Sequence, residues 1–187
     1  MTPSNILIVD DEPRVISALK RSFAEEPYYI YSAENGKEGL ALLSTHKIKV
    51  VLSDEMMPGM SGAEFLAKVS SQFPKTIKIM LTGHADLGAA INAINRGEIY
   101  RFFTKPWDDF ELRFSVRSAV DKYDLEEENR RLLSIIKEQA LNLKLLEKEY
   151  PGITQLEYDE KGRIIIQDVP DKELERIMAE LEKKYGK

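Results

Sequence analysis

Short apolar runs, each typical of a buried strand, alternate along the chain with stretches whose apolar residues recur at helical spacing. The runs cover residues 6–9, 28–33, 50–53, 77–81 and 99–103. The helical patterns lie near residues 13–23, 36–43, 63–69 and 87–94, and a fifth begins at Trp107 or Asp108. Five strands that alternate with five helices across short links predict a doubly wound parallel α/β sheet.

The fifth helical pattern continues far beyond the last predicted strand. No glycine or proline interrupts it between Trp107 and Tyr150, so the sequence predicts one long helix. From residue 125 a seven-residue repeat has core positions at Leu125, Leu132, Gln139 and Leu146, and at Asn129, Ile136, Leu143 and Tyr150. An asparagine at a core position favours a two-stranded coiled coil in one register. We therefore predict a parallel homodimer through this helix.

Some apolar residues of the long helix do not fit a two-stranded coil. Leu133, Ile135 and Leu145 lie outside the seven-residue seam. Either another element of the protein packs on these side chains, or more than two helices meet.

The chain after the long helix predicts a small tail. Pro151-Gly152 ends the helix. Residues 154–158 and 163–167 flank a turn with Gly162 and predict a hairpin, and Pro170 opens a last helical pattern. Such a tail, about 37 residues long, is too small to bury a core alone, so it is expected to pack on the coiled coil or on the partner's copy.

The predicted organisation therefore has three parts. Residues 1–123 form the α/β domain, residues 124–150 form a dimerisation helix continuous with the fifth helix of that domain, and residues 151–187 form a small ββα tail.

Composition narrows the classes of function. The net charge of -5 argues against nucleic acid as the main partner. The absence of cysteine excludes disulfides, thiolate zinc sites and cysteine nucleophiles, and two histidines are too few for a multi-histidine metal centre. The first residues lack the pattern of a signal peptide, and no stretch is apolar for long enough to span a membrane. We therefore expect a cytoplasmic protein without a membrane partner.

Polar side chains stand where the predicted strands end. Asp10 and Asp11 follow the first strand, Asp54 the third, Thr82 the fourth and Lys105 the fifth. Right-handed crossovers bring the carboxyl ends of parallel strands to one edge of the sheet, and open α/β sheets bind their ligands at that edge. The sequence thus predicts one site that contains three carboxylates, a hydroxyl and an amine.

Three carboxylates at one edge require a cation, because they would otherwise repel one another and raise their pKa values. Mg²⁺ takes oxygen ligands and retains some water. Asp11 and Asp54 are suited to direct coordination and Asp10 to coordination through water, and the backbone carbonyl of Met56 is a further candidate ligand.

The same residues predict phosphoryl transfer. Asp54 is the expected phosphoacceptor, since aspartyl phosphate formation is a known form of nucleophilic catalysis. Lys105 supplies a positive charge to the phosphoryl oxygens, and the Thr82 hydroxyl can donate a hydrogen bond to them.

The ordered set of segments NILIVDDEP, VVLSDEMMPGMSG, IMLTG and TKP resembles the receiver domain of two-component response regulators. The likeness covers roughly residues 4–123. It implies a flavodoxin-like (βα)5 fold, Mg²⁺ dependence, and phosphoryl transfer to Asp54 from a sensor histidine kinase or a phosphotransfer protein. It also implies a switch hydroxyl at Thr82 and a switch aromatic at Phe102. Because Phe102 lacks the hydroxyl of the more usual tyrosine, a switch there would act through burial of the ring.

A narrower likeness concerns the output of the protein. Residues 82–112 are similar to receivers that accompany cyclic-di-GMP phosphodiesterase domains of the HD-GYP kind, but residues 124–187 contain neither an HD pair nor a GYP triplet. The first hypothesis is therefore a response regulator without a separate catalytic domain, in which phosphorylation of Asp54 switches dimer packing and partner contacts. The alternative is a truncated or degenerate regulatory part of a cyclic-di-GMP phosphodiesterase-type regulator.

Overall fold

A computed structural model describes residues 3–83 and 99–149, together with residues 157–158, 164–165, 175–176 and 179. The helix predicted near residues 87–94 and most of the predicted tail lie outside the described residues. The chain comprises two compact units, Met1–Arg131 and Leu132–Lys187.

The first unit contains a five-stranded parallel sheet. Its strands are β1 (Ser4–Val9), β2 (Tyr28–Ala33), β3 (Val50–Asp54), β4 (Ile77–Thr82) and β5 (Arg101–Thr104). The strands lie in the order β2-β1-β3-β4-β5, and every neighbouring pair is parallel. This is the strand order of flavodoxin-like sheets, so the predicted fold class is confirmed.

Local sequence signals explain where the helices of this unit begin. Pro13 occupies the first turn of α1 (Pro13–Ser22), where its missing N–H costs nothing. The side chain of Asn35 caps α2 (Gly36–Thr45) by accepting a hydrogen bond from the Glu38 N–H. Ser61 and Glu64 form a capping box at the start of α3 (Gly62–Gln72).

The three central strands, β1, β3 and β4, are buried on both faces, as their nearly continuous apolar sequences predict. Ile8 and Leu52 face one layer and belong to the same core cluster as Val116. Leu7 and Val51 face the other layer, where α2 and α3 cover the sheet. The two packed layers hold the carboxyl ends of the strands, and hence the predicted site residues, along one edge.

The long helix predicted from Trp107 or Asp108 to Tyr150 is present as α4 (Asp109–Glu149). Its first part buries one side against the sheet through Leu112, Val116, Ala119 and Tyr123. Beyond Tyr123 every side chain described along α4 is exposed or half-buried. The exposed apolar residues there include Leu125, Leu132, Ile136 and Leu143.

The second unit contains two short paired strands after α4. β6 (Glu157–Tyr158) and β7 (Ile164–Ile165) pair antiparallel, in agreement with the predicted hairpin. Among the residues that the structure describes, no helix has the length and apolar character needed to cross a membrane.

Candidate functional site

Asp54 is the last residue of the buried strand β3, and only 5% of its surface is exposed. Its Oδ2 accepts a hydrogen bond of 2.9 Å from the backbone N–H of Met56. Its Oδ1 lies 2.6 Å from Nζ of Lys105. The carboxylate is therefore held in one orientation by a backbone donor on one oxygen and an amine on the other.

Asp10 lies beside it at the end of β1 and is fully buried. Its Oδ1 accepts a hydrogen bond of 2.9 Å from the backbone N–H of Glu12, and its Oδ2 accepts one of 2.9 Å from Nζ of Lys105. Burial raises the pKa of Asp10, while the bonds to Lys105 and Glu12 act in the opposite direction. A second buried carboxylate thus shares the same amine.

Lys105 follows β5 and reaches both carboxylates at once. Its backbone N–H donates a hydrogen bond of 2.8 Å to the carbonyl oxygen of Thr82, which ties the end of β5 to the end of β4. Burial lowers the pKa of Lys105, but hydrogen bonds to Asp54 and Asp10 outweigh that effect and raise the pKa. The side chain is therefore a cation at neutral pH.

Asp11 lies next to this group and is half-buried. It lines a groove of about 600 Å³ together with Glu34, Lys37 and Met60. Of the three predicted carboxylates, Asp11 is the one that faces an open cavity, whereas Asp10 and Asp54 face Lys105.

The residues present fit a divalent cation by their chemistry. Three carboxylates and one amine leave a formal charge of about -2 at this edge, and all the side-chain donors are oxygens of the kind Mg²⁺ prefers. Within the described ranges, however, no three acidic or histidine side chains are gathered as a metal-holding group. The Lys105 ammonium lies against both Asp10 and Asp54. The predicted ligand set stays a prediction.

The contacts of the two predicted switch residues are with other parts of the domain. Thr82 is fully buried at the end of β4, and its hydroxyl donates a hydrogen bond of 3.1 Å to the carbonyl of Gly83. Phe102 is half-buried, pairs with Met80 across the β4–β5 ladder, and packs on the core on the α2 and α3 side of the sheet. The Thr82 hydroxyl would have to leave Gly83 to reach a phosphoryl group on Asp54.

Gly62 supports the site and was missed by the sequence reasoning. Its N–H donates a hydrogen bond of 2.8 Å to the carbonyl of Glu55, and its Cα faces the backbone of Asp54 and Glu55 without room for a side chain. The Ser61-x-x-Glu64 capping signal could have placed Gly62 at the first helical position. No sequence signal indicates that this position touches the phosphoacceptor loop.

Replacing Lys105 with Met should destabilise the protein by about 2 kcal/mol at neutral pH, because two buried carboxylates would lose their shared cation. Urea unfolding followed by circular dichroism measures this cost. Lys20→Met is the matched control, because Lys20 is an exposed lysine that donates one hydrogen bond to Ser32. Equal stability of the two variants would contradict the assigned role of Lys105.

Comparison with known proteins identifies relatives of the first unit. The family model for the response regulator receiver domain matches residues 6–117. The hydrogenase transcriptional regulatory protein HoxA of Cupriavidus necator is 35% identical over 129 residues. That match covers 69% of this chain and 27% of HoxA, so the chain spans less than a third of this relative's length.

Solved structures show the same likeness. The signal receiver domain of an HD domain-containing protein from Pseudomonas fluorescens Pf-5 is 36% identical with a TM-score of 0.62, and the match covers 65% of this chain and 98% of that one. A chain described as adenylate cyclase from Rhodopirellula baltica is 32% identical with a TM-score of 0.68, covering 71% and 98%. These proteins are named for different activities, so the likeness concerns the receiver domain and does not indicate a particular output domain.

Proposed function

This chain belongs to the response regulator receiver domain family, and on that premise we propose that Asp54 receives a phosphoryl group from a sensor histidine kinase or a phosphotransfer protein. The observation that carries the proposal is the contact of one amine with two buried carboxylates. Lys105 Nζ lies 2.6 Å from Asp54 and 2.9 Å from Asp10. The amine is thus already placed beside the oxygen that would attack phosphorus.

The surrounding residues orient the attack. The Met56 N–H holds Oδ2 of Asp54, so Oδ1 is the oxygen directed toward Lys105. As charge develops on the phosphoryl oxygens, Lys105 provides a positive contact to them. The Thr82 hydroxyl, released from Gly83, provides a hydrogen-bond donor on the side of β4.

A divalent cation would be held by the carboxylates of Asp11 and Asp54, by Asp10 through water, and by the backbone carbonyl of Met56. When bound, Mg²⁺ neutralises negative charge on the transferring phosphoryl group. Asp11 is the ligand that this chain offers from the groove side.

Phosphoryl uptake from a small-molecule acyl phosphate tests the proposal, with intact mass as the readout. We expect one phosphoryl group per chain when Mg²⁺ is present and none when a chelator removes it. Asp11→Asn should lower the rate of uptake at limiting Mg²⁺ by about tenfold or more, as loss of groups that support a metal typically does.

Glu34→Gln is the matched control for Asp11→Asn, because Glu34 is an exposed carboxylate that lines the same groove. Its rate should equal that of the unaltered chain. Uptake that is independent of Mg²⁺, or an equal loss in both variants, would count against the proposed metal ligands.

The output of the protein is proposed to pass through α4. The seven-residue repeat that begins at Leu125 supports a parallel homodimer, and its core positions Leu125, Leu132, Ile136 and Leu143 are exposed in the single chain. Phosphorylation of Asp54 would then act by changing how the two copies pack and which partners they contact.

The alternative output is a regulatory part of a cyclic-di-GMP phosphodiesterase-type regulator. The likeness to the receiver of an HD domain-containing protein favours it. The mass of the protein isolated from its native cell decides between the two. A mass near 21.4 kDa favours the receiver with its helix and tail alone, and a much larger mass favours the alternative.

A further inference from the structure

A group of ion pairs fastens α4 to the sheet edge that lies opposite Asp54. Arg117 makes two hydrogen bonds, of 2.9 and 3.1 Å, to Glu26, which precedes β2. About two helical turns further on, Asp124 lies 2.7 Å from Lys49, which precedes β3. We call the ion-paired residues on this edge the base cluster: Glu26, Lys47, Lys49, Lys75, Arg117, Asp124, Glu127 and Arg130.

Glu127 is the centre of the base cluster. Its carboxylate lies 3.3 Å from Nζ of Lys47, 3.0 Å from Nζ of Lys75 and 2.9 Å from Nε of Arg130. Lys47 and Lys75 come from two different loops of the receiver, so Glu127 joins both loops to the helix. Hydrogen bonds from Lys75, Arg130 and Lys47 lower the pKa of Glu127 to about 2, and the carboxylate therefore stays charged.

Tyr123 completes the contact one turn before Glu127. Its ring is buried, and the amines of Lys47 and Lys49 each lie 5.9 Å from the ring centre. Tyr123 and Glu127 are four residues apart and therefore share one face of α4. This face lies against the receiver.

The first core positions of the seven-residue repeat lie on the other side of the helix. Leu125 is two residues from both Tyr123 and Glu127, which is a rotation of about 200° at about 3.6 residues per turn. Asn129 is likewise two residues beyond Glu127. Leu125 is 65% exposed and Asn129 is exposed as well. The contact with the receiver thus directs the start of the seam into solvent.

The exposed seam suits a second copy of this chain in parallel. Leucine at core position Leu132 followed by isoleucine at core position Ile136 is a combination that favours two strands, and a parallel pair in register sets the two Asn129 amides against each other. A pair in which Asn129 faced an apolar residue of the other copy would leave the amide unpaired.

The acidic residues that flank the start of the seam are neutralised within the helix, so they do not oppose a parallel pair. Glu126 lies 2.7 Å from Lys122, and Glu128 accepts two hydrogen bonds from Arg131.

We propose that the base cluster sets the rotation of α4 on the receiver so that the first seam positions, Leu125 and Asn129, face a second, parallel copy of this chain. Glu127 is the positioning residue of this interface. The inference rests on the proposed homodimer and adds to it a defined orientation of each receiver with respect to Leu125 and Asn129, the first positions of the seam.

Two probes separate the dimer from the orientation. The chain has no cysteine, so a single one can be introduced at will. Leu132→Cys reports the dimer by forming a disulfide across the seam, with Lys137→Cys, on the outer side of the helix, as its negative control. Lys68→Cys, exposed on α3, carries a spin label, and pulsed electron paramagnetic resonance measures the distance between the two receivers.

When Lys68→Cys is the only substitution, we expect a single narrow distribution of distances between the two spin labels. Glu127→Gln should broaden the distribution and remove the single peak, and the pair Lys47→Gln with Lys75→Gln should do the same from the receiver side. Glu128→Gln is the matched control, because Glu128 bonds to Arg131 of its own helix, and it should leave the peak narrow. Salt near 1 M, where the screening length is about 3 Å, should broaden the peak of the unaltered background.

A narrow peak that survives in Glu127→Gln would overturn the orienting role of the base cluster, and so would a broad distribution in the unaltered background. If Leu132→Cys forms no disulfide and the labels show no coupling, the homodimer itself fails. Because Leu132→Cys is read independently of the receiver label, the failure of the dimer and the failure of the orientation give different results.

Discussion

An Asp54→Asn variant is expected to take up no phosphoryl group from a small-molecule acyl phosphate under conditions in which the unaltered chain takes up one. The acceptor must be a carboxylate oxygen, because an amide does not act as the nucleophile in this chemistry. Asparagine keeps the volume of the side chain and one oxygen that can accept the Met56 N–H. Intact mass measures the loss directly.

The fold of the Asp54→Asn variant should be retained, so the loss can be assigned to chemistry. Lys105 would keep its bond to Asp10, and one source of repulsion between buried carboxylates would be removed. We expect the free energy of unfolding to change by about 1 kcal/mol at most. Asp121→Asn, at an exposed carboxylate of α4, is the control and should take up a full phosphoryl group. Undiminished phosphoryl uptake by the Asp54→Asn variant would show that Asp54 is not the phosphoacceptor.

Replacing Gly62 with Ala is expected to lower the free energy of unfolding by about 3 kcal/mol or more. The added Cβ would overlap the carbonyl oxygen of Asp54 and lie 2.8 Å from the Cα of Glu55. Both are backbone atoms, which cannot rotate away as a side chain can. The protein would have to move either the start of α3 or the loop after β3, and moving that loop displaces Asp54 from Lys105.

Urea unfolding followed by circular dichroism measures the loss in free energy of unfolding caused by Gly62→Ala. Phosphoryl uptake by the fraction that stays folded reports whether Asp54 has moved away from Lys105. Gly83→Ala is the matched control. Among the described residues, none lies within 4 Å of a Cβ at Gly83, so its cost should stay within about 0.5 kcal/mol. If Gly62→Ala is as stable as Gly83→Ala, α3 does not approach the backbone of Asp54 this closely.

The sheet and its site edge could be predicted because the strands are buried on both faces. An apolar run such as residues 50–53 must end where the chain reaches solvent, and the polar residue that follows marks the edge. Right-handed crossovers then bring the carboxyl ends of the parallel strands to one edge. In this way Asp10, Asp54 and Lys105 could be assigned to one edge from sequence, and the structure brings these three side chains into contact.

The contacts that orient those residues could not be predicted in the same way. Spacing places Lys105 at the edge but does not indicate that its amine bonds to both carboxylates. The approach of Gly62 to Asp54 depends on how α3 packs, and glycine is equally common in turns that no other backbone approaches. Lys47 and Lys75 stand on separate loops with no periodic pattern, so nothing in the sequence joins them to Glu127.

Chemical identification of the phosphorylated residue shows whether Asp54 is the phosphoacceptor. Borohydride breaks the bond between an acyl carbon and the phosphate oxygen, releases phosphate, and reduces that carbon to an alcohol, so a phosphorylated aspartate becomes homoserine. Cleavage after Lys49 and Lys68 gives a peptide in which Asp54 is the only aspartate. After treatment with acyl phosphate and Mg²⁺, homoserine is expected at position 54 of that peptide. Homoserine at another aspartate, with position 54 unchanged, would contradict the assignment of Asp54 as the phosphoacceptor.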